Sequence, residues 1–132
     1  MKYALDTNTL IYFFRGQGNV AENLLATAPS DVQVPAIVVY ELQTGITKSS
    51  EPDKRQQQLA ELLDVVTVLP FDRTTAEHAA RIRAYLEQQG TPIGPMDTLI
   101  AATALASNAT LVTHNTSEFQ RVPDLPLADW FA

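Results

Sequence analysis

The chain reads as one α/β domain in which a mainly parallel sheet of four to five strands is layered between helices. Three observations predict this. Short apolar or β-branched runs alternate with helical segments from end to end, the pattern of a parallel sheet with crossover helices. The 132 residues match a single domain able to bury roughly two-thirds of the surface its unfolded chain exposes. No repeat, low-complexity tract or linker divides residues 1–132.

The first strand is Lys2 to Leu5, with a helix start at Asp6-Thr7-Asn8-Thr9 and the apolar Leu10 to Phe14 behind it. Val20 to Thr27 reads as a short helix, and Pro29-Ser30-Asp31 as a turn. Val32 to Pro35 is β-branched and partly alternating, hence a strand. Ala36 to Gly45 is helix-compatible. The polar block from Ser49 to Arg55 is a loop into a helix running from Arg55 to Asp64. Val65 to Leu69 makes a third strand ended by Pro70, and Phe71 to Thr75 caps a helix from Ala76 to Gln89 that Gly90 stops. After a stiff Pro/Gly loop, Asp97 to Ser107 is an Ala-rich helix, Thr110 to Thr113 a fourth strand and Ser117 to Gln120 a helical turn.

Composition excludes several classes of function. With no cysteine there is no thiolate metal site, Cys nucleophile or disulfide, which fits a reducing compartment, and cytoplasm is the expectation. No apolar run approaches the ~20 residues of a membrane span, so no membrane partner is expected. A net charge of −6 argues against broad adhesion to nucleic acid, which needs clustered Lys and Arg. It does not argue against a nuclease, because an ion in an acidic pocket can meet phosphate, with local bases such as Lys2, Arg15, Lys48 and Arg121 assisting.

Asp6, Glu41 and Asp97 stand where apolar segments meet turns. A carboxylate ending a buried strand is costly unless paired or bound to a cation, so the three read as one metal site. Oxygen-only donors favour Mg²⁺ or Mn²⁺, whose chemistry suits phosphodiester hydrolysis. In parallel sheets ligands lie beyond the carboxyl ends of the strands, where Asp6 and Asn115 follow strands one and four. For Asp6 and Asp97 a helix N-cap is the competing role; Glu41, in the middle of an apolar segment, has no such alternative. His114 invites a general-acid role, against which stand its place on the face opposite Asn115 of an extended segment and a metal-hydroxide scheme that does not require it.

Met1-Lys2-Tyr3-Ala4-Leu5-Asp6-Thr7-Asn8, Val39-Tyr40-Glu41-Leu42, Pro92-Ile93-Gly94-Pro95-Met96-Asp97 and Leu111 to Phe119 resemble, in order, the successive motifs of PIN-domain proteins, VapC-type toxins above all. The resemblance runs from residue 2 to Trp130. It implies a PIN-like three-layer α/β/α sandwich and a Mg²⁺- or Mn²⁺-dependent endoribonuclease, with tRNA the expected substrate. It further implies a VapB-type antitoxin, operator DNA reached only through that antitoxin, and a homodimer. Phe13, Phe14, Leu59 and Leu63 are the apolar candidates for such contacts. Asp6, Glu41 and Asp97 match the family's acidic triad. Where many members carry a fourth acid this chain has Asn115, with Glu118 three residues on, and Thr7 and Thr113 match hydroxyls that line the site.

Two other phosphate-handling classes fail on single residues. A dehalogenase-like phosphatase needs a second Asp two positions after the first, which here is Asn8; a receiver domain needs Asp at the end of the third strand, which here is Leu69-Pro70. The remaining alternative is a noncatalytic PIN-like module binding nucleic acid or protein.

Overall fold

In the computed structural model, which describes residues 1–132, five strands form one sheet. They are β1 (Tyr3–Leu5), β2 (Val32–Pro35), β3 (Thr67–Leu69), β4 (Thr110–Val112) and β5 (Leu127–Ala128). The order is β3-β2-β1-β4-β5 and every neighbouring pair is parallel. Both faces of the central strand are covered: Ala4 and Leu5 point to opposite faces and neither is exposed at all.

Seven helices connect the strands: α1 (Thr7–Arg15), α2 (Val20–Leu25), α3 (Ala36–Thr47), α4 (Pro52–Leu63), α5 (Arg73–Gln88), α6 (Pro95–Ala106) and α7 (Thr116–Phe119). α1 packs on α2 and α3, and α3 on α4, while α5 and α6 pair closely. That grouping fits right-handed crossovers, which send the connections on the two sides of β1 to opposite faces of the sheet. No helix is long and apolar enough to cross a membrane.

Three helices begin earlier than the sequence suggests. α4 and α6 start at Pro52 and Pro95, because proline's fixed φ and missing N–H suit the first helical turn; α5 starts at Arg73, behind an Asp72 cap. The shift in α6 settles one question. Its N-cap is Gly94 and Asp97 lies inside the first turn, so Asp97 is no cap, whereas Asp6 does cap α1. The third strand is shorter than expected, since Val65 and Val66 fall in the turn after α4. Leu59 is fully buried and therefore belongs to the core, not to a partner surface.

The C-terminal segment closes over α1. Trp130 is buried against Tyr3, ring centres 5.3 Å apart, and the Phe131 carbonyl accepts the Asn19 N–H at 3.0 Å. Gly18 sits at φ +62°, and a Cβ there would stand 2.6 Å from the Phe131 ring. Gly18→Ala combines left-handed strain with that collision, so a loss of about 1–3 kcal/mol is expected. Thermal unfolding checks it; an unchanged Tm would mean that Phe131 simply swings aside.

Candidate active site

The sheet reverses its order at β1: the chain passes from β1 to β2 on one side and only later places β4 on the other. Such a switch point leaves a crevice beyond the carboxyl ends of the two strands. Asp6 follows β1 and Thr113 follows β4, and the register Leu5↔Val112 sets the two residues side by side. Asp6 is held from several directions. Its N–H donates to the Val112 carbonyl at 3.1 Å, and its Oδ1 accepts the Thr9 N–H at 2.9 Å. The Thr9 hydroxyl donates to the same Val112 carbonyl at 3.2 Å. The carboxylate is thus anchored to the rigid centre of the sheet.

Glu41 comes from the second turn of α3 and is half-buried. The Thr7 hydroxyl, from the first turn of α1, donates to its Oε1 at 2.6 Å. On the opposite side Asp97 comes from the first turn of α6. Glu118, on α7, is aimed by two donors: the Gly94 N–H reaches its Oε1 at 3.2 Å and the Asn115 amide its Oε2 at 2.7 Å. The Asn115 N–H in turn donates to the Thr113 hydroxyl at 3.0 Å.

The electrostatics show how these acids feel one another. Burial pushes the Asp6 carboxyl above its ordinary range, hydrogen bonds from Thr113 and Thr9 pull it back, and Glu41 adds a further push upward. Asp97 is raised to about 7, first by burial, then by a hydrogen bond to Glu118 and by the charges of Glu118, Asp6 and Glu41. For Glu118 burial also acts upward, but hydrogen bonds from Asp97, Gly94 and Asn115 and the charge of Arg121 outweigh it and hold the group low. The pair is thereby polarised, with the protonated form favoured at Asp97 and the charged form at Glu118. A cation is the natural replacement for the proton on Asp97.

The fold therefore brings Asp6, Glu41, Asp97 and Glu118 into one electrostatic site, with Thr7, Thr113 and Asn115 as its hydrogen-bonding frame. No three acidic or imidazole side chains are gathered tightly enough to ligate one ion at once. The donor set nevertheless fits a hard divalent ion, since it is all oxygen, half-buried and carries surplus negative charge. An ion that dehydrates reluctantly, as Mg²⁺ does, needs only one or two carboxylates and keeps its remaining positions for water and phosphate.

Several sequence expectations are refined here. The Asn115 amide, at the position of the missing fourth acid, serves Glu118. His114 bonds none of the four acids; its Nδ1 lies 2.9 Å from Asp129 Oδ2. Lys2 is no helper at the site, since it precedes β1 at the far edge of the sheet and bonds Ser30 and Asp31. Arg121 does lie at the site edge, donating to the Pro92 carbonyl at 3.2 Å. Sequence reasoning missed Thr9 and Gly94. Thr9 had a signal, three residues after a capping Asp, whereas the Gly94 N–H had none.

A carboxylate-lined crevice at the switch point of a five-stranded parallel sheet is the architecture of a PIN domain. The chain belongs to the PIN-domain family, whose model matches residues 3–125. Among its relatives, Ribonuclease VapC2 of Rickettsia felis is 37% identical over 132 residues, covering 98% of each chain. The tRNA(fMet)-specific endonuclease VapC of Salmonella typhimurium is 32% identical over 130 residues, again 98% of each. The chain superposes with TM-score 0.91 on a chain of the crystal structure of VapBC2 from Rickettsia felis bound to a promoter DNA fragment, at 36% identity, covering 98% of this chain and 99% of that one. The DNA-bound VapBC structure from Salmonella typhimurium gives TM-score 0.91 at 33% identity, covering 98% of each chain.

Proposed function

We propose that the chain is a Mg²⁺- or Mn²⁺-dependent endoribonuclease, the toxin of a toxin-antitoxin pair, acting in the cytoplasm with tRNA as its substrate. The observation that carries this reading is the convergence of Asp6, Glu41, Asp97 and Glu118 at the carboxyl edge of the sheet, each held by hydrogen bonds or by its helix start, a cluster whose mutual repulsion, seen in the raised Asp6 and Asp97, a cation would relieve. A noncatalytic module has no use for such a cluster. The relatives named ribonuclease and tRNA(fMet)-specific endonuclease, similar along their whole length, support the substrate class.

Of Asp6, Asp97 and Glu41, one or two would ligate the ion directly and the remainder would reach it through its bound water. When bound, it supplies charge neutralisation on the phosphate and activates water for in-line attack. The chain's own residues fix the geometry: Thr9 and Thr113 hold Asp6, Thr7 orients Glu41, and Gly94 with Asn115 aims Glu118. Such supporting bonds typically contribute 10–100-fold to metal affinity or activity.

For the partner, the reading rests on the neighbouring VapBC complexes and on a cavity of about 160 Å³ that opens beside Glu41. Ile11, Phe14, Leu42 and Ile46 line it, with Arg15 and Arg55 at its rim. It suits a VapB-type antitoxin segment combining an apolar side chain with a carboxylate, while operator DNA is left to the antitoxin. A homodimer belongs to the same reading. A second, larger apolar depression between α5 and α6 is a better candidate for its contact than the buried Leu59.

Purified protein treated with EDTA should lose cleavage of total RNA and regain it with Mg²⁺ or Mn²⁺ but not with Zn²⁺, since no Cys is present. Full activity in excess chelator would remove the metal mechanism. A second expectation follows from the Asn115–Glu118 bond. Asn115→Asp adds negative charge against Glu118 and should tighten Mg²⁺ binding, while Glu118→Gln should weaken it. Titration calorimetry of both variants decides, and unchanged affinity in each would leave Asp6, Glu41 and Asp97 as the only acids that matter to the ion.

A further inference from the structure

At the same carboxyl edge of the sheet, two residues beyond the end of β4 and one beyond the end of β5, His114 and Asp129 form a pair that the acidic site does not use. Asp129 Oδ2 lies 2.9 Å from His114 Nδ1, and its Oδ1 accepts the Phe131 N–H at 2.9 Å. The imidazole lies on the Phe131 ring, centres 4.3 Å apart and planes 30° from parallel. Tyr12 supports both from the side, 4.6 Å from Phe131 and edge-on to His114 at 6.0 Å. The ring is thus fixed at its edge and on one face, while the His114 side chain remains 42% exposed.

A clasp for the C-terminus explains Asp129 and Phe131. It does not explain an exposed flat ring laid on top of them, because Asp129 already bonds two backbone N–H groups without it. We infer that the His114–Phe131 stack is a seat for an unpaired RNA base next to the scissile phosphate, an inference that rests on the ribonuclease reading above. Its position supports the assignment: His114 stands at the same carboxyl edge of the sheet, between Thr113 and Asn115 of the acidic site's frame, with its ring engaged on the neighbouring side by Asp129 and Phe131. Charge points the same way. With 15 acids against 9 bases the protein cannot hold RNA by cations alone, whereas stacking needs no charge and tolerates any base. Asp129 beside the seat would repel a phosphate, so recognition falls to the face of the ring and not to its edge.

The test uses the full chain and a short single-stranded oligoribonucleotide with 2-aminopurine placed at successive positions. With the wild-type protein, the fluorescence of one position near the cut should be quenched. His114→Ala should abolish that quenching and raise KM roughly tenfold, as expected for losing one stacked base, with a smaller effect on kcat. His114→Phe should retain both quenching and KM, and His114→Gln, which keeps a donor toward Asp129 but has no ring, should behave like Ala with an unchanged Tm. A Phe variant as defective as Ala, or an Ala or Gln variant with wild-type KM and quenching, overturns the seat while leaving the nuclease intact. A wild-type protein that neither binds nor cuts the oligoribonucleotide overturns the seat, and one that also leaves total RNA, tRNA included, intact in Mg²⁺ overturns both.

Discussion

Asp6→Asn should abolish RNA cleavage while leaving the fold intact. The loss should exceed the roughly 10–100-fold that removal of a supporting residue costs at metal sites, because Asp6 is the most deeply buried acid of the cluster, 5% exposed, and the best anchored. The fold should survive because Asn caps a helix about as well as Asp and can still accept the Thr9 N–H. Burial and the Glu41 charge both disfavour the ionised Asp6, so Tm should stay level or rise without metal. Asp6→Ala is the useful contrast, as it also removes the cap and should cost a further ~1 kcal/mol. A cleavage assay and a thermal melt decide: wild-type cutting by the Asn variant would overturn the site, and a large fall in its Tm would make Asp6 a structural residue.

The three acids could be singled out in the sequence for a local reason. Each acid interrupts an apolar run, and the alternation of strands and helices determines which chain ends share an edge of the sheet. Glu41 could be singled out because no capping role was open to it. Its partner could not: the Thr7 hydroxyl reaches Glu41 across 34 residues of sequence, a contact that exists only once α1 packs on α3. The same holds for the polarised pair of Asp97 and Glu118, since neither residue reveals in sequence how deeply the other is buried. Helix starts were misplaced where proline was read as loop when it opened the helix, at Pro52 and Pro95. That small error mattered at Asp97, because a residue inside the first turn is not the N-cap, which here is Gly94. The last strand, only Leu127–Ala128, is too short to leave any periodicity and is recognisable only by its pairing with β4.

Asp97→Asn should flatten the pH dependence of stability as well as remove activity. In the folded metal-free protein Asp97 titrates near pH 7, against 3.8 ordinarily, so between those values the native state binds more protons than the unfolded chain. Stability must then fall as pH rises through that window and level off above it. Glu118 is shifted the other way, and its contribution changes only below its ordinary value of 4.5, so it does not mask the effect between pH 5 and 8. In chelator, wild-type Tm should therefore drop from pH 5 to pH 8, while Asp97→Asn should show a shallower fall and be the more stable protein at pH 8. Mg²⁺ should reverse the wild-type trend, because an ion that takes the place of the Asp97 proton binds better as pH rises. Melts at the two pH values, with and without Mg²⁺, test all of this. Identical slopes for wild type and variant would show that Asp97 does not hold the proton, and the case for a cation in its place would lose its main support.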